Sequence, residues 1–464
     1  MGEEQPSVYN SPAKIYGEEK DVQNRFAALN DAFTKKYGHP PLFYARAPGR
    51  VNIIGEHIDY CGYAVFPMAL EQDIVYAVST NNNGKYKMAN TNSNFGDYET
   101  DVKSFEITGH QWYDYVLCGH KATIDEAKID VPVGMNTLVD GTVPKSAGLS
   151  SSSALVCCSA LTTMYANKKN LSKLTLADAS QRCEAYVGTE GGGMDQAISF
   201  LAEAGTAKLI EFKPLRATDV RLPDGANFVI ANSLREMTKS ENAGEYYNKR
   251  VSECRIAAQI LSNKAGIEWR KTRRLLDTQN AMNKSLDEMV QLVEKTFHKE
   301  PYTREEVCKE LNITDEELIK ECLNPTTASS KEFKLYHRAK HVYSEAARVW
   351  KFKQICEENP PDSLKALGEL MNASQESCAK DYECSCDELD ELTTICRESG
   401  ALGSRLTGAG WGGCTVSLVT SEVIESFIEK VKSRYFECNE KRREKVKEAL
   451  FATKPGSGAA IILI

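Results

Sequence analysis

Apolar and polar positions in the first half of the chain follow two patterns, one typical of strands and one typical of helices. The segments FYARAPGRVNIIGE, DIVYAVST, AKLIEFKPL and NFVIANS are rich in apolar and β-branched residues, and DIVYAVST alternates, so we predict four strands. Residues 150–165 and 174–186 are rich in Ala, Leu and Cys and predict two helices. The N-terminal half is therefore expected to be sheet-rich.

The second half of the chain has a different pattern. Residues 241–353 are charged and helix-periodic, with two capping boxes, Thr303-x-x-Glu306 and Thr314-x-x-Glu317. Strand-like runs return only at GCTVSLVTS and AAIILI. We predict an α+β fold with an N-terminal domain over residues 1–225 and a C-terminal domain with a large helical portion over residues 226–464. The last strand can return to either sheet.

Composition limits the class of protein. A chain of 464 residues is too long for one typical core, and 42% hydrophobic with 26% charged residues is typical of a globular protein. The net charge of −8 argues against nucleic acid as a partner. No run approaches the roughly 20 apolar residues of a membrane span, and the N-terminus lacks the apolar core of a signal peptide. Fifteen scattered cysteines indicate reduced thiols, so we expect a cytoplasmic protein.

The first glycine segment, GRVNIIGEHIDYCGY (residues 49–63), places four charged or titratable side chains within eleven positions: Arg50, Glu56, His57 and Asp59. One interpretation is a surface loop with ordinary salt bridges. The other is the floor of a polar pocket for a small molecule with many hydroxyl groups. The segment alone does not decide between them.

The second glycine segment, PKSAGLSSS (residues 144–152), precedes a predicted helix. Free backbone N–H groups and the positive end of the helix dipole favour an anion there, and phosphate suits this position best. The segment does not match G-x-x-x-x-G-K-[ST], because no lysine follows Gly148. A serine-rich helix cap is the alternative, although one serine is enough for a cap.

The third glycine segment, GSRLTGAGWGG (residues 403–413), contains Gly408-x-Gly410-x-x-Gly413, which formally resembles a dinucleotide fingerprint. That fingerprint requires a following helix, whereas a strand-like run follows here, so we reject it. A glycine turn close to a phosphate or sugar and the simple packing of a hairpin both remain open. Between the second and third segments lies a glycine run, Gly191 to Gly193, followed by Asp195, which is either a helix-start charge or a catalytic carboxylate.

These segments resemble the signatures of the galactokinase family. The first resembles GR-x-N-(I/L)-x-GEH-x-DY, GLSSSSA resembles the phosphate loop shared with homoserine, mevalonate and phosphomevalonate kinases (the GHMP kinases), and GSRLTGAGWGGC resembles their third glycine motif. The likeness runs from about Phe43 to KPGSGAA near the C-terminus. It implies the GHMP-kinase fold, with a ribosomal-protein-like α+β N-terminal domain, a ferredoxin-like C-terminal domain with helical additions, and an active site in the cleft between them.

The resemblance also implies a set of sugar-binding residues. It assigns the sugar to seven positions: Arg50, Glu56, His57, Asp59, Gly192, Asp195 and Tyr247. Asp195 would deprotonate the anomeric hydroxyl, and Arg50 would keep Asp195 ionised, because a nearby cation favours the charged carboxylate. These two are the expected catalytic residues.

Nucleotide and metal sites follow from the same resemblance. ATP is expected at Gly148, Ser150, Ser151, Ser152, Lys239 and Trp112, and Mg²⁺ at Ser151 and Glu184. The alternatives are a buried core tryptophan for Trp112 and a helix-surface charge for Glu184. Thr238 departs from the asparagine that the family pattern has before Lys239.

The predicted reaction is ATP-dependent phosphorylation of N-acetylgalactosamine at C1. TEGGGMDQ, FKLYHRAKHVYSEAARV and YECSCDELDEL resemble the family members that act on this sugar, and the glycine run would leave room for its acetamido group. Galactose is the alternative, which Tyr247 favours. A non-catalytic sensor of sugar and ATP is disfavoured because GLSSSSA, Arg50 and Asp195 are all present. We expect a monomer whose partners are a sugar and ATP, with no membrane or nucleic acid.

Overall fold

The computed structural model describes residues 4–109, 111–145, 147–188, 191–236 and 246–464. The strands are β1 Ser7–Tyr9, β2 Phe43–Ile54, β3 Phe66–Asn81, β4 Lys85–Asn90, β5 Tyr98–Asp101, β6 Gly134–Gly141, β7 Ala207–Phe212, β8 Leu215–Val220, β9 Asn227–Asn232, β10 Tyr302–Thr303, β11 Glu332–Phe333, β12 Gly403–Leu406, β13 Cys414–Val419, β14 Leu450–Thr453 and β15 Ala460–Leu463.

The helices complete this mixed α and β architecture. They are α1 Ala13–Tyr16, α2 Lys20–Tyr37, α3 Trp112–Glu126, α4 Ser151–Ala166, α5 Lys173–Glu184, α6 Met194–Leu201, α7 Tyr247–Lys264, α8 Leu275–Met282, α9 Leu286–Thr296, α10 Arg304–Leu311, α11 Asp315–Cys322, α12 Leu335–Glu358, α13 Ser363–Ser377, α14 Asp387–Ser399, α15 Ile424–Val431, α16 Glu440–Arg443 and α17 Val446–Ala449.

The N-terminal sheet has seven strands in the order β1-β15-β2-β3-β6-β4-β5. Its central pair, β2 and β3, is antiparallel, with register shifts between Pro48 and Arg50 and between Asn52 and Ile54. Helices α4 and α6 pack on β2 and β3, and a cluster containing Phe33 of α2 packs against the same sheet. Because helices cover it, β2 is buried along its whole length, which explains why its sequence is apolar without a clean alternation.

The C-terminal half is built on an antiparallel sheet in the order β12-β13-β9-β14. Helices α13 and α14 pack on β12, and α12 packs against α7, α9 and α13. Helix α12 also contacts β2 of the N-terminal sheet, and the largest hydrophobic cluster contains residues of both halves. The two halves therefore share one apolar core. No helix of the described ranges is long and apolar enough to cross a membrane.

The predicted strands and helices are present, with their ends moved by a few residues. Both predicted capping boxes, at Thr303 and Thr314, form, and the charged region from residue 241 onward contains helices α7 to α12 in its described part. The open question of the last strand is answered by β15, which pairs with β2 in the N-terminal sheet. The division into two domains at residue 225 stays a prediction. The N-terminal sheet includes β15, a strand that comes from the far side of that division.

Candidate active site

The first glycine segment leaves the sheet at the end of β2 and turns sharply. His57 has φ 60°, in the left-handed region, and Gly55 and Gly62 flank it with φ 102° and 93°. These turns fold the segment under α6 and α7. One polar pocket is lined by every residue that sequence analysis assigned to the sugar: Arg50, Glu56, His57, Asp59, Gly192, Asp195 and Tyr247.

Arg50 and Asp195 form an ion pair at this pocket. Arg50 Nε donates to Asp195 Oδ1 over 2.8 Å, and the Arg50 side chain is only 2% exposed. Asp195 lies in the first turn of α6, where Gly193 supplies the left-handed N-cap with φ 102°. Arg50 Nη1 also donates to the carbonyl oxygen of Gly148. One guanidinium thus joins the carboxylate to the second glycine segment, and its charge favours the ionised carboxylate.

Glu184 lies next to this ion pair at the end of α5. Ser153 Oγ donates to Glu184 over 3.0 Å to Oε1 and 3.1 Å to Oε2, and lies 3.5 Å from Asp195 Oδ2. The expected metal contact of Ser151 stays a prediction, and the structure pairs Glu184 with Ser153. The reason is helical geometry, which puts Ser153 on the face of α4 toward α5.

The donor set around Glu184 suits Mg²⁺. This ion prefers oxygen ligands and is usually held by one or two carboxylates together with water and substrate phosphates. Glu184, Asp195 and the Ser153 hydroxyl supply such oxygens on one side of the pocket. The described residues contain no group of three or more His, Cys, Asp or Glu side chains that would form an all-protein metal site. The residues fit a metal that is shared with a nucleotide.

The second glycine segment faces a neighbouring cavity of about 440 Å³. Gly148 has φ 73°, and Ser150, the N-cap of α4, has φ 58°. The Ser150 hydroxyl is buried and has no hydrogen-bond partner among the described residues. A helix N-terminus with an unsatisfied hydroxyl fits a phosphate group. Five of the residues predicted for the nucleotide line this cavity: Trp112, Gly148, Ser150, Ser151 and Ser152. Lys239 lies outside the described residues.

Trp112 and Lys145 also line this cavity. Trp112 is half-buried, its Nε1 donates to Gly96 O over 3.0 Å, and its ring centroid is 5.8 Å from that of Phe95. Lys145 Nζ lies 3.2 Å from the centroid of Phe95, and desolvation lowers its pKa. Sequence analysis missed Lys145 because it looked for a lysine after the glycine, whereas this lysine comes three residues before Gly148.

The third glycine segment lies between the first two. A Cβ on Gly408 would be 2.4 Å from Gly148 O, so only glycine permits this approach. Thr407 Oγ1 accepts from the backbone N–H of Asn52 over 3.0 Å. Gly408 lines the sugar-side pocket and Gly410 the cavity beside Ser150. The segment is therefore a packed β12–β13 hairpin that also borders each pocket, and its contact with a phosphate or sugar stays a prediction.

His57 joins the first and third glycine segments. Its Nε2 lies 2.8 Å from the carbonyl oxygen of Ala409, which only accepts, so Nε2 carries the proton and Nδ1 accepts from Tyr60 OH over 2.9 Å. Both ring nitrogens contact protein groups, and the expected contact of His57 with a sugar hydroxyl stays a prediction. Tyr247, at the start of α7, packs its ring 5.5 Å from His57.

Glu56 and Asp59 are held by residues distant in sequence. Asp59 Oδ2 accepts from the backbone N–H of Gly192 over 3.1 Å. Glu56 is buried, which raises its pKa, while Arg405 opposes this shift and donates from Nη2 to Oε2 over 3.1 Å. Sequence analysis missed Arg405. Its position inside the third glycine motif was the only available signal.

Family models match three parts of the chain. The galactokinase galactose-binding signature matches residues 31–80, the GHMP kinases N terminal domain matches residues 114–203, and the GHMP kinases C terminal matches residues 352–438. These ranges contain the first glycine segment, the second glycine segment with Asp195, and the third glycine segment.

Characterised proteins are similar over almost the whole length. A galactokinase of Dictyostelium discoideum is 44% identical, with 98% of each chain covered, and one of Saccharomyces cerevisiae is 34% identical, covering 98% of this chain and 97% of that one. Among solved structures, Lactococcus lactis galactokinase complexed with galactose aligns with a TM-score of 0.73 and 25% identity over 94% of this chain and 99% of that one. Methanococcus jannaschii mevalonate kinase, at 16% identity, 91% and 98% coverage and a TM-score of 0.51, shares the fold.

Proposed function

This chain belongs to the galactokinase family of GHMP kinases, and from that premise we propose that it transfers the γ-phosphoryl group of ATP to the C1 hydroxyl of galactose. The observation that carries the proposal is the Arg50–Asp195 ion pair. It lies at the boundary of the two pockets, because Arg50 also contacts Gly148 of the second glycine segment. The Arg50 side chain thereby joins Asp195, the base for a sugar hydroxyl, to the anion site for a nucleotide at Gly148.

The chain's residues divide the reaction between them. Asp195 accepts the proton of the C1 hydroxyl as that oxygen attacks phosphorus, and Arg50 orients Asp195 through the 2.8 Å hydrogen bond. Glu56 and Asp59 accept hydrogen bonds from other sugar hydroxyls, because charged acceptors bind them strongly. Gly148 and the serines of α4 hold the phosphates through backbone N–H groups and hydroxyls. This division suits phosphoryl transfer, which depends mainly on positioning and charge neutralisation.

Glu184 and Ser153 are the residues that would hold Mg²⁺, with Asp195 next to them. When bound, the ion neutralises charge on the phosphate oxygens. Asp195 is the catalytic residue rather than the principal metal ligand in this assignment, because Arg50 already occupies its Oδ1.

Galactose as the substrate is supported by the names of the relatives, which are called galactokinases, and by the match to the galactose-binding signature. One observation favours a second candidate, N-acetylgalactosamine. A Cβ on Gly191 would meet no described heavy atom within 4 Å, and a cavity of about 510 Å³ borders the glycine run. Gly192 does not add to this space, because its Cβ would be 2.6 Å from Asp59. The room for an acetamido group therefore includes the open side of Gly191 and not that of Gly192.

The experiment is a comparison of kcat/KM for the two sugars with MgATP, in the wild-type protein and in Gly191→Val. We expect the wild type to favour galactose, and Gly191→Val to leave galactose turnover within about threefold. If N-acetylgalactosamine is favoured, and Gly191→Val lowers its kcat/KM at least tenfold more than that of galactose, the second candidate becomes the function. Turnover of neither sugar would contradict both.

A further inference from the structure

The turn at Gly55 and Glu56 is held by the C-terminal half of the chain. Glu345, on α12, accepts at Oε1 from the backbone N–H of Gly55 over 2.9 Å and of Glu56 over 3.3 Å. The same oxygen accepts from Ser374 Oγ over 2.7 Å, and Arg348 Nε donates to Oε2 over 2.7 Å. Glu345 has no exposed surface, so bulk water does not compete for these contacts.

Arg405 holds the Glu56 side chain from a second direction. Its Nη2 donates to Glu56 Oε2 over 3.1 Å, its Nη1 to Asn52 O over 2.9 Å and its Nε to Ser374 Oγ over 3.0 Å. Arg405 is fully buried on β12. Because it binds only one carboxylate oxygen of Glu56, it leaves Oε1 for a sugar hydroxyl.

A third contact fixes the carbonyl of Glu56. His341 Nε2 lies 3.0 Å from Glu56 O, while its Nδ1 lies 2.9 Å from Ser377 Oγ. Burial lowers the pKa of His341 to about 4, so the ring is neutral and donates from Nε2. The N–H, the carbonyl and the carboxylate of Glu56 therefore each have a partner that follows Glu56 by 285 residues or more in sequence.

The charges in this cluster balance within the interior. Glu56 and Glu345 are negative when ionised, and Arg405 and Arg348 are positive. Burial opposes the ionisation of Glu345, but Arg348 and Arg405 outweigh it and lower its pKa to about 2. Buried pairs of this kind seldom add much stability compared with apolar residues, and their best-attested use is to specify one arrangement. The arrangement specified here is the turn that carries Glu56.

We propose that Glu345 and Arg405 are positioning residues for the sugar: Glu345 fixes the main chain of the Gly55–Glu56 turn, and Arg405 fixes the Glu56 carboxylate. This inference rests on the proposed function, because it assumes that Glu56 binds a sugar hydroxyl. Neither residue lines the sugar-side pocket or the nucleotide cavity. They act on sugar affinity through Glu56 and leave the phosphoryl-transfer groups in place.

A pH dependence distinguishes this role from a purely structural one. Glu56 faces Arg405 from β12, Arg50 from β2, Tyr247 from α7 and Cys384 from the turn before α14. Burial raises the pKa of Tyr247 and of Cys384 well above their usual values, so both stay neutral near pH 7. Without the Arg405 charge, burial raises the pKa of Glu56 further, and Glu56 is protonated as the pH falls. A protonated carboxyl is a weaker acceptor for the sugar.

The experiment measures kcat and both KM values between pH 6 and 9 in Arg405→Gln, Arg405→Lys and Glu345→Gln. We expect Arg405→Gln to raise the sugar KM at least tenfold, and more at pH 6 than at pH 9, with kcat and the ATP KM within about threefold of wild type. Arg405→Lys keeps the charge and should remove the added pH dependence. Glu345→Gln keeps an acceptor at Oε1, so its sugar KM should rise less than that of Arg405→Gln.

Arg46, on β2, is also a buried guanidinium, and it pairs with Asp73 away from the pocket. The matched control is Arg46→Gln. It should lower the melting temperature without changing the sugar KM. The proposal is overturned if folded Arg405 and Glu345 variants keep the wild-type sugar KM at every pH, or change it no more than Arg46→Gln does. If Arg405→Gln does not fold, Glu345→Gln carries the test, and its sugar KM should still rise more than that of Arg46→Gln. Absence of sugar turnover in the wild type would instead count against the proposed function.

Discussion

The Arg50–Asp195 ion pair gives a direct test at the scale of one residue. Asp195→Asn keeps the size of the side chain and its hydrogen bond to Arg50 but removes the charge that accepts a proton. General-base catalysis typically contributes about 10² to 10⁴ in rate, so kcat should fall by at least about a hundredfold. Because ground-state contacts are largely kept, calorimetry should give sugar and ATP affinities close to those of the wild type.

A folded Asp195→Asn protein that retained more than about a tenth of wild-type kcat, a barrier change below roughly 1.4 kcal/mol, would remove Asp195 from the catalytic role. Asp178→Asn is a suitable control, because Asp178 is an exposed carboxylate on α5 whose partner is Arg182. Its kcat should be unchanged.

Residues within a short motif were predictable, and residues that act across the fold were not. The seven sugar-side positions were predicted from the first glycine segment, the glycine run with Asp195, and Tyr247. All seven line one pocket. Ser153 and Arg405 escaped because their contacts depend on which helix or strand packs beside them. Consecutive serines in GLSSSSA look alike in sequence, whereas helical rotation brings Ser153 to Glu184. The contact of His57 with Ala409 likewise comes from tertiary packing and has no signal in the sequence.

At the scale of elements, the second and third glycine segments are in close backbone contact, and Gly148→Ala tests this. A Cβ on Gly148 would be 2.5 Å from Thr407 O, at a backbone φ of 73°. Left-handed strain costs about 1–2 kcal/mol, and overpacking adds about 1–3 kcal/mol. Gly148→Ala should therefore lower the free energy of unfolding by about 2–5 kcal/mol, measured by chemical denaturation, and should weaken ATP binding.

Gly84→Ala is the matched control for strain without a clash. Gly84 has φ 67°, and its Cβ would meet no described heavy atom within 4 Å. It should cost only the roughly 1–2 kcal/mol of left-handed strain. Equal losses for the two variants would mean that the contact with the third segment carries no energy.

Helices with capping boxes and strands with apolar runs were predictable as elements because their signals are local. The pairing of elements was not, since it depends on contacts between segments far apart in the chain. The hairpin of β12 and β13 shows this limit. Its glycines resemble a ligand motif, yet the approach of Gly408 to Gly148 is set by how two distant turns pack.

At the scale of the whole molecule, the last strand ties the two halves into one unit. The chain completes the C-terminal sheet with β14 and then returns β15 to a position between β1 and β2 of the N-terminal sheet. Helix α12 packs against β2, and its Phe352 ring lies 5.0 Å from that of Phe66 at the start of β3. A single core spanning both halves predicts that they unfold together.

Ile461→Ala tests this cooperativity. Ile461 is fully buried on β15, so the truncation should cost about 2–5 kcal/mol. Because β15 belongs to the N-terminal sheet and is linked to the C-terminal half, calorimetry should show one transition that moves as a whole to lower temperature. Leu463→Ala on the same strand is the control, since Leu463 is 39% exposed and its truncation should change stability by less than about 0.5 kcal/mol. A second transition that stays at the wild-type temperature in Ile461→Ala would show that the C-terminal half folds independently of β15.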